Sequence, residues 1–126
     1  MVKIDSAHSI EKYIGKCHRL HGHTWKILIL EKFDKLDDRN IARDYNELPK
    51  EQWVWSIVKW LDEELDHKYL NEVFNEPNLT SEFLAREIWK KCLEFGAQPG
   101  EFSVLVQEGD GGVCVYDGDK WWLGKI

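Results

Sequence analysis

His21-Gly22-His23-Thr24-Trp25-Lys26-Ile27-Leu28-Ile29-Leu30 is the stretch around which the rest of the chain organises. Its aromatic and β-branched content suits a strand, and side chains alternate across a strand, so His21 and His23 share one face. Gly22 leaves the opposite face empty between them. Two adjacent imidazoles make a chelate for a divalent metal, zinc foremost. Cys17, four residues before His21, is near enough to be a third ligand or a thiol held beside the metal. His-x-His alone is a weak motif. Here, however, His8, His18, His21 and His23 crowd into the first 23 residues, leaving only His67 elsewhere. His8 ends Ile4-Asp5-Ser6-Ala7-His8, a segment able to pair with the next strand and add a third imidazole to the same face. Three imidazoles with an open position match a catalytic zinc, whereas Cys17, His21, His23 and His8 would make a closed structural site. Spacing leaves both possibilities standing.

Working outward, residues 2–8 read as a short strand and a polar loop runs to about Leu20. The long strand spans about Gly22 to Phe33, and Ile41 to Tyr45 is a candidate second hairpin strand. Pro49 suits the first turn of a helix over about 49–65, whose apolar positions Val54, Ile57, Val58, Leu61 and Leu65 follow the helical period. Thr80 or Ser81 can cap a second helix, with Glu82 near the positive end of its dipole. Leu84, Ile88, Cys92 and Phe95 form its stripe, and Gly96 is its stop. Phe102 to Gln107 and Val113 to Tyr116 are strands joined at Asp110-Gly111-Gly112. Strands at both ends with helices between them favour an antiparallel α+β sheet.

At 126 residues the chain is expected to form one domain over 1–126. A net charge of −6 without a basic cluster argues against a nucleic-acid surface. The absence of a spanning-length apolar run or a signal-type N-terminus argues against a membrane, and three cysteines without such a signal point to the cytoplasm. Cys92 and Cys114 read as core residues. Seven tryptophans suit packing, with a surplus suited to a subunit interface.

Leu65-Asp66-His67-Lys68-Tyr69-Leu70-Asn71 forms a second constellation. Cys17 needs a base or nearby positive charge to act as a thiolate. His67 can relay a proton, with Asp66 raising its basicity. Glu108, a lone acid at a strand end before a glycine, can read an amidine-like edge.

Together these features resemble the 6-pyruvoyl-tetrahydropterin synthase / 6-carboxy-tetrahydropterin synthase family. Cys-x-x-x-His-Gly-His at Cys17–His23 and Leu-Asp-His-x-x-Leu-Asn at Leu65–Asn71 are the specific signatures. They stand between Ala7-His8 and a late strand ending in Glu108, and Asp44-Tyr45 looks like the family's Asp-Phe step. The resemblance implies a tunnelling fold: a four-stranded antiparallel sheet with two helices on one face. Subunits would close into a barrel as trimers, and trimers would stack into a homohexamer. It also implies a catalytic zinc on His8, His21 and His23, with Cys17, Asp66 and His67 as proton-transfer groups. Glu108 would anchor a pterin ring, with Thr80 near the same pocket. The implied activity is a lyase on 7,8-dihydroneopterin triphosphate, favouring the 6-carboxy branch that feeds 7-deazapurine (queuosine) synthesis. The alternatives are the 6-pyruvoyl branch and a non-catalytic, zinc-containing pterin-binding paralogue. Two departures motivate the last: Phe83 where the family usually has Asn, and Gly109 where it usually has Thr.

Overall fold

The computed structural model describes residues 1–44 and 51–125. Five strands form one antiparallel sheet in sequential order: β1 (Val2–His8), β2 (His21–Glu31), β3 (Phe102–Glu108), β4 (Val113–Tyr116) and β5 (Trp121–Gly124). Between β2 and β3 lie α1 (Gln52–Trp60), α2 (Leu70–Phe74) and α3 (Ser81–Glu94). The α+β class therefore stands, but among the described residues the expected four strands become five and the two helices three.

Strand alternation divides the sheet into two faces. Ile4 and His8 of β1, Trp25 and Ile27 of β2, and Phe102, Val104 and Val106 of β3 are buried on one of them. They join Ile57, Leu61, Leu84 and Ile88 from the helices in a single core. Register sets who meets whom: Ile4 pairs with Trp25, His8 with His21, and Trp25 in turn with Glu108. This brings the ends of three strands, with four polar side chains, to the same corner.

The helices follow their local signals. Thr80 caps α3, its hydroxyl accepting from the Phe83 N–H at 3.1 Å. The first helix does not run as one regular cylinder to residue 65. After Trp60 it widens into a π turn, Leu61–Leu65, in which the Asp66 N–H reaches back to the Leu61 carbonyl at 3.0 Å. The widened turn keeps both Leu61 and Leu65 in the core and then releases Asp66 in an extended conformation. Pro49 and Tyr45 lie outside the described residues, and Ile41–Asp44 form no strand.

The segment after the π turn runs along the outer edge of β1. His67 N–H donates to the Asp5 carbonyl at 2.7 Å, and Ala7 N–H donates to the Lys68 carbonyl at 2.9 Å. Tyr69 makes a parallel bridge with Ala7. That edge is thereby partly covered, which blunts its tendency to pair elsewhere.

Candidate metal centre

The strand register alone puts His8, His21 and His23 together. His8 and His21 are direct cross-strand partners, and His23 is two residues along on the same face. Ring centroids lie 4.5 Å apart for His8–His21, 4.7 Å for His21–His23 and 5.1 Å for His8–His23. Trp25 closes one side, its ring 4.7 Å from His8 and its indole N–H held by the Ser6 carbonyl at 3.1 Å.

The ring orientations bear on the chemistry. His8 Nδ1 lies 2.6 Å from the Leu79 carbonyl, and His21 Nδ1 lies 2.5 Å from the Arg19 carbonyl. A carbonyl only accepts, so both Nδ1 atoms carry the proton and both Nε2 atoms present a lone pair. The Nε2 atoms of His8, His21 and His23 are all buried, and none makes a hydrogen bond of good geometry. Leaving such groups unpaired is costly, and a cation at their meeting point would satisfy all three. Carbonyl contacts that set a histidine's tautomer are the usual support of a metal ligand. The residues fit a metal.

Glu108 completes the group. Its Oε1 lies 2.5 Å from His23 Nε2 and 3.5 Å from His8 Nε2. The four residues can each offer one ligand atom, all within 4.8 Å of one another. Glu108 thus stands beside the imidazoles rather than apart from them. Its carboxyl is held below the usual range, first by the polar contact with His8 and then by the charges of His23 and His8, against burial. Burial pushes His23 below the ordinary imidazole value, helped by its two histidine neighbours and opposed by Glu108. A neutral imidazole is the form that binds metal.

Cys17 lies elsewhere in the local structure. It sits half-buried in a short 3-10 turn, Lys16–His18, just before β2. Its sulfur is not among the atoms that meet in the four-residue group. Thr80, at the start of α3, follows the residue whose carbonyl holds His8.

Asp66 and His67 form a second cluster with Asp5, in which Asp5 and His67 are exposed and Asp66 is half-buried. His67 Nδ1 lies 2.9 Å from Asp66 Oδ2. The carboxylate raises the affinity of His67 for its proton, while the Asp5 N–H and the His67 ring hold Asp66 below its ordinary value. A groove of about 620 Å³ is lined by Asp5 and His67 of this cluster and by His23, Gly22 and Thr24. A side-chain carbon at Gly22 would meet nothing within 4 Å, so the glycine keeps that wall open.

Sequence reasoning passed over Asp5, Thr24 and the carbonyls of Leu79 and Arg19. Main-chain acceptors carry no residue-type signal, and Asp5 sat unremarked within Ile4–His8. The two departures have local accounts. Phe83 packs edge-on to Phe74 with ring centroids 5.7 Å apart. Gly109 has φ of 60°, a conformation in which threonine would be strained.

The family model described as 6-pyruvoyl tetrahydropterin synthase matches residues 1–119. A 6-carboxy-5,6,7,8-tetrahydropterin synthase from Synechocystis sp. is 33% identical over 108 residues, covering 82% of this chain and 79% of the relative. A provisionally named 6-carboxy-5,6,7,8-tetrahydropterin synthase from Pyrococcus abyssi is 29% identical over 125 residues, covering 84% of this chain and 80% of the relative. With a family match across most of its length, joined to two motifs that border one groove, the chain belongs to the 6-pyruvoyl tetrahydropterin synthase family.

Proposed function

We propose that this chain is a zinc-dependent carbon–oxygen/carbon–carbon lyase that converts 7,8-dihydroneopterin triphosphate to 6-carboxy-5,6,7,8-tetrahydropterin, in 7-deazapurine (queuosine) synthesis. The observation that carries the reading is the convergence of three buried Nε2 atoms, on His8, His21 and His23, with Glu108 beside them. The printed names of the relatives support the choice of the 6-carboxy product.

In this reading His8, His21 and His23 hold the ion. When bound, zinc supplies Lewis acidity toward the side-chain hydroxyl oxygens of the substrate, lowering the cost of removing a proton from the neighbouring carbon. Cys17 exchanges that proton at its sulfur. His67, oriented by Asp66, exchanges a second proton at Nε2, the ring nitrogen not committed to the carboxylate. Glu108 accepts from the amino-pyrimidine edge of the ring, and Thr80 stands near the same pocket. Its contact with His23 means that the carboxylate must turn toward the ring when substrate enters. The chain acts in the cytoplasm as one domain over 1–126. It assembles as a homohexamer of two trimers whose sheets close into barrels.

Phe83 supports a second reading. Its ring is engaged with Phe74, and no side-chain amide is offered at that position. A zinc-containing paralogue that binds pterins without turning them over would tolerate this.

The test is turnover by the zinc-loaded protein alongside Cys17→Ala. The variant is expected to keep about one zinc per chain and lose turnover. Loss of zinc from Cys17→Ala would make the thiol a ligand and overturn its assignment.

A further inference from the structure

Asp5 belongs to neither signature, yet it touches the Asp66–His67 pair from two sides of its own backbone. Its N–H donates to Asp66 Oδ1 at 2.8 Å, and its carbonyl accepts from the His67 N–H at 2.7 Å. The two oxygens of Asp66 are thus divided, one to the Asp5 main chain and the other to the His67 ring at 2.9 Å. The Asp5 carboxylate is close as well, within 4.8 Å of the ligand atoms of Asp66 and His67. It is braced from the next strand by Thr24, whose hydroxyl donates to Asp5 Oδ1 at 2.5 Å.

The backbone of His67 gives the arrangement its significance. His67 has φ of 58°, in the left-handed region that a non-glycine residue enters only at a steric cost. Something must hold it there, and the bond to the Asp5 carbonyl is the anchor at that residue. With the backbone fixed and Nδ1 committed to Asp66, the ring has one free nitrogen. Both Asp5 and His67 line the groove that also contains His23 and Thr24. The charged groups around the ring are Asp66 beside it, Asp5 from β1 and Asp62 from the π turn. Lys68 and Tyr69 are the other titratable residues of the groove wall.

We propose that Asp5, braced by Thr24, is a positioning residue for His67: its main chain fixes the ring's direction and its carboxylate is a second negative charge beside the imidazole. The functional consequence rests on the reading of His67 as a proton-transfer group. Asp5 does its work through His67.

The experiment compares the zinc-loaded wild type, Asp5→Asn, Asp5→Glu and Thr24→Val. Asp5→Asn keeps both main-chain bonds and an acceptor for Thr24, so it removes charge while sparing the scaffold. Two readouts are taken: NMR titration of the His67 ring, and kcat and KM as functions of pH. The Asp5→Asn ring is expected to release its proton at lower pH. Its kcat on the alkaline side should fall roughly three- to tenfold while KM and zinc content hold, since a small displacement of an imidazole titration changes its protonated fraction by that much. Asp5→Glu should restore most of the titration, and Thr24→Val should give a smaller change of the same sign. An unchanged His67 titration in Asp5→Asn would overturn the inference. If instead His67→Ala leaves kcat intact, the proton-transfer reading fails, and the ring titration still decides whether Asp5 tunes His67.

Discussion

The metal corner is built from single atoms with single jobs. His8 and His21 each give one nitrogen to a carbonyl and keep the other as a lone pair. Removing one ring should therefore cost the metal without collapsing the sheet. His21→Ala is expected to lower zinc affinity by at least 100-fold, read by chelator competition, with the far-ultraviolet circular dichroism retained. The proton competes for the same lone pairs. Because His23 is pushed below the ordinary imidazole value, protons displace metal from it only on the acid side of that value. Zinc retention should hold at neutral pH and fall as pH drops toward about 5, measured by metal content after dialysis. The three thiols differ just as sharply. Burial pushes Cys92 up to about 12 and Cys114 up to about 11, whereas Cys17 is half-buried beside β2. Iodoacetamide at pH 8 should modify Cys17 first in the folded protein and reach the other two only on unfolding, as read by peptide mass spectrometry.

Elements deliver these atoms to the corner, and two substitutions test how. Thr80 starts α3 next to the Leu79 carbonyl that holds His8, so Thr80→Ala should cost about 1 kcal/mol in denaturant unfolding. Gly118 lies between β4 and β5 with φ of 99°, and a side-chain carbon there would come 2.4 Å from the Trp89 ring. Gly118→Ala should be worse, by roughly 1–3 kcal/mol, because Trp89 is buried and stacks on Phe102. These elements were unequally legible in the sequence. β2 and α3 could be read because alternation, the helical stripe, Thr80 and Gly96 all agreed. β5 was missed although Asp117-Gly118 is a turn signal: Trp121-Trp122-Leu123-Gly124 is short and exposed on both faces, so it has no alternation to read. α2 was missed because five residues span little more than one helical turn. The π turn was invisible because Leu61 and Leu65 fit a regular helix equally well. The three histidines and Glu108 were legible as residues, but their convergence depended on the register of β1, β2 and β3. Asp5 was not legible, because its role comes from a contact between β1 and a segment 61 residues away.

For the molecule as a whole, the sheet is unevenly protected. The helices cover one face, and the Asp66–Tyr69 segment lies along part of the β1 edge. At the other edge, β5 presents Trp122 and Leu123 at 62% and 70% exposure. Exposed aromatic and aliphatic side chains on an edge strand favour association. In the proposed barrel assembly, Trp122→Ser with Leu123→Ser should shift sedimentation toward smaller species while leaving the monomer's circular dichroism intact. No helix among the described residues is long and apolar enough to cross a membrane. Product analysis ties this architecture to the proposed reaction. Zinc-loaded protein is incubated with 7,8-dihydroneopterin triphosphate and the mixture is resolved by mass spectrometry. The expected product is 6-carboxy-5,6,7,8-tetrahydropterin, with acetaldehyde and triphosphate released. A 6-pyruvoyl product, or substrate recovered intact while bound to a protein that retains its zinc, would contradict it.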